Sequence, residues 1–154
     1  MKQIVLYLYS IILAATLIIP QRGTDVGKLK PVEVIFLGQE GELFSISTDT
    51  KDRGVGATIP AAVQDLKETT AGNIFLDTAD YLIVSEQAVR NIGELAPYLH
   101  KSVRVCIGPE DLDLEKAARF LSVHKPKNTL KNVQAGIDYQ RLIYTDSRIN
   151  FKKA

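Results

Sequence analysis

The four residues Tyr81-Leu82-Ile83-Val84 are apolar on both faces, and helical patterns lie on either side of them. A strand with no polar face must be covered twice, so it belongs inside a sheet with helices packed above and below. Upstream, Ile59, Ala62, Val63 and Leu66 recur at i, i+3, i+4 and i+7, the stripe of an amphipathic helix. Thr58 is placed to cap that helix, and Pro60 sits in its first turn, where the missing N–H costs little. The helix is expected to stop near Thr69-Thr70, with Gly72 just beyond. Downstream, Ser85 can cap a second helix from Glu86 to Leu99, with Ala88, Ile92, Leu95 and Leu99 in phase. Gly93 and Pro97 weaken its middle and end.

The alternation continues on both sides. Val32 to Leu37 and Glu42 to Thr48 read as a hairpin about the turn Gly38-Gln39-Glu40-Gly41. Asp49 to Gly56, charged and with two glycines, reads as a solvated loop. Val103, Val105 and Ile107 alternate with Arg104 and Cys106 as a further strand, closed by Gly108-Pro109. Asp111 or Asp113 caps a helix carrying Leu114, Ala117, Ala118 and Leu121, and Leu130, Val133 and Ile137 mark another. Tyr139 to Ile149 fits a strand or a continued helix, and 150–154 reads as a frayed tail. The fold class is therefore α/β (or α+β), a mixed sheet of about four to five strands with about three to four covering helices, preceded by an N-terminal hydrophobic helix.

That leading segment fixes the location. Lys2 precedes an apolar run that includes Ile4, Val5, Leu6, Ile11, Ile12, Leu13, Leu17, Ile18 and Ile19, and Pro20 ends it. As a helix the run spans about 24 Å, near the roughly 30 Å hydrocarbon core. The small residues Ala14-Ala15-Thr16 are followed by Leu17-Ile18-Ile19, a poor cleavage site, so an uncleaved anchor is favoured over a cleaved signal peptide. Arg22, Lys28 and Lys30 after the run argue for a cytoplasmic domain by the positive-inside tendency, whereas the short charged start is the layout of an export signal. Residues 1–20 are thus an anchor or signal, 21–31 a linker, 32–149 one domain and 150–154 a tail. About 130 residues after the leader suffice for a single core.

Composition excludes several functional classes. Nineteen basic residues against 18 acidic ones leave a net charge of +1, so nothing favours nucleic acid as a partner. A single cysteine, Cys106, makes no internal disulfide, and no Cys/His cluster suggests a metal. Arg53-Gly54-Val55-Gly56-Ala57-Thr58 approaches a helix start where amides can hold an anion, yet it matches neither the Walker pattern nor the dinucleotide fingerprint. Arg53, Gly54, Gly56 and Thr58 are instead candidate residues of a contact loop. His100 and His124 both fall at helix ends, where imidazoles complement the macrodipole. Glu110, Asp111 and Asp113 read as acids opening a helix, Glu40 and Glu42 as a solvated hairpin tip, and Cys106 as a buried, inert thiol. Ser45, Ser47, Ser85 and Ser122 lack the setting of a nucleophile. No catalytic group, cofactor or metal is expected.

The stretch from Ala57 to Leu99 resembles the N-terminal domain of the spore germination receptor C-subunit family, the Ger(x)C type. The likeness rests on Thr58-Ile59-Pro60-Ala61-Ala62 with Leu66, on Asn73-Ile74-Phe75-Leu76, and on Tyr81-Leu82-Ile83-Val84-Ser85-Glu86-Gln87-Ala88. Val103 to Ile107 and the helix from Leu114 to Leu121 continue in the family's order, so the likeness extends over about 32–135. No cysteine follows the apolar run, where the family's lipoproteins carry one, and Thr78-Ala79-Asp80 stands where a Gly-His pair is common. The resemblance implies a spore-forming bacterium and a non-enzymatic extracytoplasmic module at the spore inner membrane, with other germination-receptor membrane subunits as partners. It carries over no catalytic or ligand residue. The second expectation is an exported or tethered domain that binds a small ligand or anion at the Thr58 helix start, and thermal stabilisation by such a ligand would favour it.

Overall fold

The computed structural model describes residues 29–152 apart from 137, 146 and 147. The hydrophobic helix expected over 4–19 lies outside the described residues. Among those described, no helix is long and apolar enough to cross a membrane.

The all-apolar tetrapeptide is the strand at the centre of the fold. Tyr81–Val84 (β6) is buried at every residue and lies fourth in a seven-stranded mixed sheet. On one side it pairs in parallel with Val34–Glu40 (β2), which continues antiparallel into Leu43–Thr48 (β3) and then Arg53–Gly56 (β4). On the other side it pairs in parallel with Arg104–Ile107 (β7), then Gln140–Thr145 (β8), and the antiparallel strand Arg148–Phe151 (β9) forms the edge. Leu29–Pro31 (β1) and Asn73–Phe75 (β5) form a separate parallel pair.

Side-chain alternation divides the apolar residues between two cores. Ile35, Leu37, Leu82, Val84 and Val105 face the first core, beneath the helix Ile59–Thr69 (α1), the short helix Ile92–Leu95 (α2) with its flanking 3₁₀ turns, and Leu130–Gln134 (α4). Val34, Phe36, Tyr81, Ile83 and Cys106 face the second, beneath Leu114–Val123 (α3). The mixed sheet with helices on both faces is the expected class.

The start of α1 follows the sequence pattern: Thr58 accepts from the Ala61 N–H at 3.3 Å, and Ile59, Ala62, Val63 and Leu66 are its buried residues. Other expectations need correction. Among the described residues the sheet has seven strands rather than four or five, because the closing segment makes the hairpin β8–β9 and the glycine-rich segment makes β4. Arg53–Gly56 is an edge strand rather than a loop, since α1 lies directly on it. A Cβ at Gly56 would stand 2.5 Å from the Ala62 nitrogen, and one at Gly54 would overlap the Ala62 carbonyl oxygen and the Leu66 nitrogen. Only residues without a side chain permit that approach.

The hairpin β2–β3 turns at Gly41-Glu42, with Gly41 at φ +61, so Gly38, Gln39 and Glu40 belong to the strand. The helix expected over 86–99 is broken into a 3₁₀ turn, α2 and a second 3₁₀ turn that contains Pro97. Within the segment read as a linker, Leu29–Pro31 pairs with β5. Asn150 and Phe151, read as tail, belong to β9, where Phe151 packs against Phe120 with ring centroids 5.5 Å apart.

Candidate functional site

The four parallel strands β2, β6, β7 and β8 end at the same rim of the sheet. The chain leaves β6 toward the first core, where Ala88 and Ile92 are buried, and leaves β7 toward the second, where Leu112 and α3 lie. Neighbouring connections that depart to opposite faces open a crevice at the carboxyl ends of their strands, the usual place for binding in open α/β sheets. Here that crevice has a volume of about 620 Å³.

Two walls come from the diverging segments, Ser85-Glu86-Gln87 after β6 and Gly108 to Asp111 after β7. Ser85 is buried, and its hydroxyl accepts from the Ala88 N–H at 3.3 Å, which fixes the turn out of β6. With its amide oriented to suit its neighbours, Gln87 donates to the Gln39 carbonyl at 3.1 Å and to Glu110 Oε1 at 2.6 Å. The third wall is the hairpin β8–β9. Strand β7 pairs with β8 only at Cys106–Gln140 and Ile107–Arg141, so residues 142–145 run past the end of β7, and among the described residues β9 is their one strand neighbour. Arg141 crosses the crevice to pair with Glu86. Ile143 and Tyr144, each 38% exposed, stand on the overhang, and Lys152 lies at its base.

The other sequence candidates lie elsewhere. Val55 donates its N–H to Asp65 Oδ2 at 2.8 Å, and the Thr58 hydroxyl is occupied as the α1 cap. Arg53 lies 3.9 Å from Glu40, both well exposed. His100 Nδ1 bonds to Ser102 Oγ at 2.6 Å. His124 follows the last turn of α3 and stacks on Phe120 at 4.7 Å. Neither imidazole lines the crevice, and among the described residues no group of three His, Cys, Asp or Glu side chains is disposed to hold a metal ion.

Asp113 caps α3, accepting from the Glu115 and Lys116 amides at 3.1 and 3.2 Å, and the Lys116 N–H in particular holds its carboxyl below the usual range. Glu110 and Asp111, read with it as acids opening a helix, line the crevice instead. A smaller hollow of about 270 Å³ near Asp49, Asp52 and Asp113 is built from acids with internal partners. Asp49 accepts from the Glu33 and Val34 amides, and Asp52 pairs with Lys30 at 3.3 Å. Cys106 is fully buried in the second core, and burial pushes its thiol up to about 12.

No family model matches the chain, and no curated protein or solved structure matches it either.

Proposed function

We propose that this chain is a membrane-associated, non-enzymatic component of a spore germination nutrient-receptor complex. In this reading it acts on the extracytoplasmic side of the spore inner membrane as an interaction module for the other membrane subunits. One observation carries the interaction role: the overhang of β8 past β7, which presents Ile143, Tyr144 and a strand edge with no neighbouring strand among the described residues. Natural sheets cover, charge or shorten such edges unless something is to pair there. The apolar run before Pro20 supports the membrane attachment, which raises the local concentration of the module near membrane partners. The germination context rests on the resemblance over 32–135.

The test is affinity capture of the full chain from membranes of sporulating cells. The expected result is co-purification of multi-spanning receptor subunits. Their absence from the captured material would contradict the reading.

A second reading, an exported or tethered small-ligand-binding domain, draws on the crevice itself, whose 620 Å³ falls within the size of small-molecule sites. Under this reading a nutrient or small anion raises the melting temperature of the full chain in proportion to ln(1 + [L]/Kd).

A further inference from the structure

The crevice has one wall with hydrogen-bonding capacity to spare. The Arg141 carbonyl accepts from the Lys152 N–H at 2.8 Å, which makes Arg141–Lys152 a hydrogen-bonded pair of the β8–β9 ladder. In an antiparallel ladder bonded and non-bonded pairs alternate. With the register Ile143–Asn150 and Thr145–Arg148, those two pairs are also bonded across the hairpin. The N–H and C=O of Leu142 and Tyr144 therefore point the other way, toward the crevice. Leu142 lies at the end of β7, one residue past the final pair Ile107–Arg141, whereas Tyr144 lies beyond it. Among the described residues nothing pairs with this side of Tyr144, which offers one donor and one acceptor at strand spacing, with apolar side chains at 143 and 144 around them.

The charge of the opposite walls is acidic. Glu86, Glu110 and Asp111 line the crevice against Arg141 and Lys152, and Arg141 is already paired with Glu86. Glu110 and Asp111 are exposed at the loop that faces the overhang. A chain segment lying along β8 would carry its side chains past these two carboxylates.

We propose that the crevice is a docking groove for an extended, lysine- or arginine-bearing segment of a partner protein, which adds as a short strand on the free side of β8 around Tyr144. The inference rests on the interaction-module reading above and names the surface and partner chemistry that module uses. Main-chain pairing supplies the seating, and Glu110 and Asp111 supply the preference for a basic segment.

The experiment uses the full chain in nanodiscs of neutral lipid and three labelled hexapeptides: alternating Val-Lys, alternating Val-Glu, and Val-Lys N-methylated at its valine amides. The Val-Lys peptide is expected to bind about tenfold more tightly than Val-Glu. N-methylation is expected to weaken it about tenfold by removing strand donors. The exposed pair Glu110→Gln and Asp111→Asn is expected to lower affinity for Val-Lys about fivefold while the far-UV circular dichroism stays that of the folded chain. Equal binding of the N-methylated peptide, equal binding of Val-Glu, or no binding of any peptide would overturn the proposal. So would a dimer, seen by sedimentation, that Tyr144→Pro dissolves, since the edge would then belong to a second copy. Receptor capture that succeeds while the peptides fail removes the groove and leaves the interaction module standing. Peptide selectivity without receptor capture removes the germination context and leaves the groove.

Discussion

Arg141 on β8 pairs with Glu86 at the end of β6, so a side chain of the overhanging hairpin is tied across the crevice to the centre of the sheet. Both side chains are about half exposed, at 49% and 63%, and an ion pair in water contributes little to global stability. Its effect is local, because among the described residues β8 and β9 have only each other as strand neighbours past Ile107. Arg141→Ala is expected to cost less than about 1 kcal/mol in urea denaturation. Amide exchange over 142–145 and 148–151 is expected to quicken relative to β6 and β7, as measured by hydrogen–deuterium exchange.

Gly54 and Gly56 let α1 rest on β4, and a methyl group at Gly54 meets helix backbone rather than a movable side chain. Gly54→Ala should therefore destabilise the chain by about 3 kcal/mol, as overpacking against a rigid neighbour does. Gly93 in α2 has nothing within 4 Å of a Cβ, so Gly93→Ala should gain about 0.5 kcal/mol through helix propensity. Denaturant titration of the two variants reads opposite signs.

Thr58 closes the first turn of α1 through its hydroxyl. Thr58→Ala is expected to cost about 1 kcal/mol and Thr58→Asn close to nothing, because an asparagine side chain also accepts at a helix N-cap. Thermal unfolding of both variants separates lost capping from general disturbance.

Two groups make stability depend on pH in opposite senses. Burial raises the Cys106 thiol from 9.0 to about 12, so the unfolded chain ionises first and stability falls as pH rises between those values. Cys106→Ala flattens that alkaline fall in a pH series of denaturation midpoints. In the folded state the thiol should react with a thiol reagent only at the rate of opening. Asp113 works in the other sense: its carboxyl is held low by the Lys116 N–H, so its contribution is present above the ordinary carboxylate range and disappears as pH falls through the folded value. Asp113→Asn retains a cap and flattens the acid limb.

Local patterns in the sequence match the local structure closely. The stripe Ile59, Ala62, Val63, Leu66 and the cap Thr58 define α1, and the unbroken apolarity of Tyr81–Val84 places that strand inside the sheet. What escaped a linear reading depends on neighbours far away in the chain. Arg53–Gly56 has the composition of a loop and becomes a strand because α1 covers it. The segment 140–151 has mixed polarity because its hairpin overhangs the sheet and buries only part of its residues, Leu142 and Ile149 foremost. The crevice was illegible for the same reason. Glu86, Glu110 and Arg141 are brought together by strand order and by connections that leave β6 and β7 for opposite faces, and no spacing along the chain encodes that meeting.

The most direct measurement is hydrogen–deuterium exchange of the full chain in membranes that contain the receptor subunits, compared with the chain alone in the same lipid. Slowed exchange is expected at the Tyr144 amide and its neighbours over 142–145, with the β4 edge unchanged. Unaltered exchange at Tyr144 while the receptor subunits are bound would contradict the proposed docking.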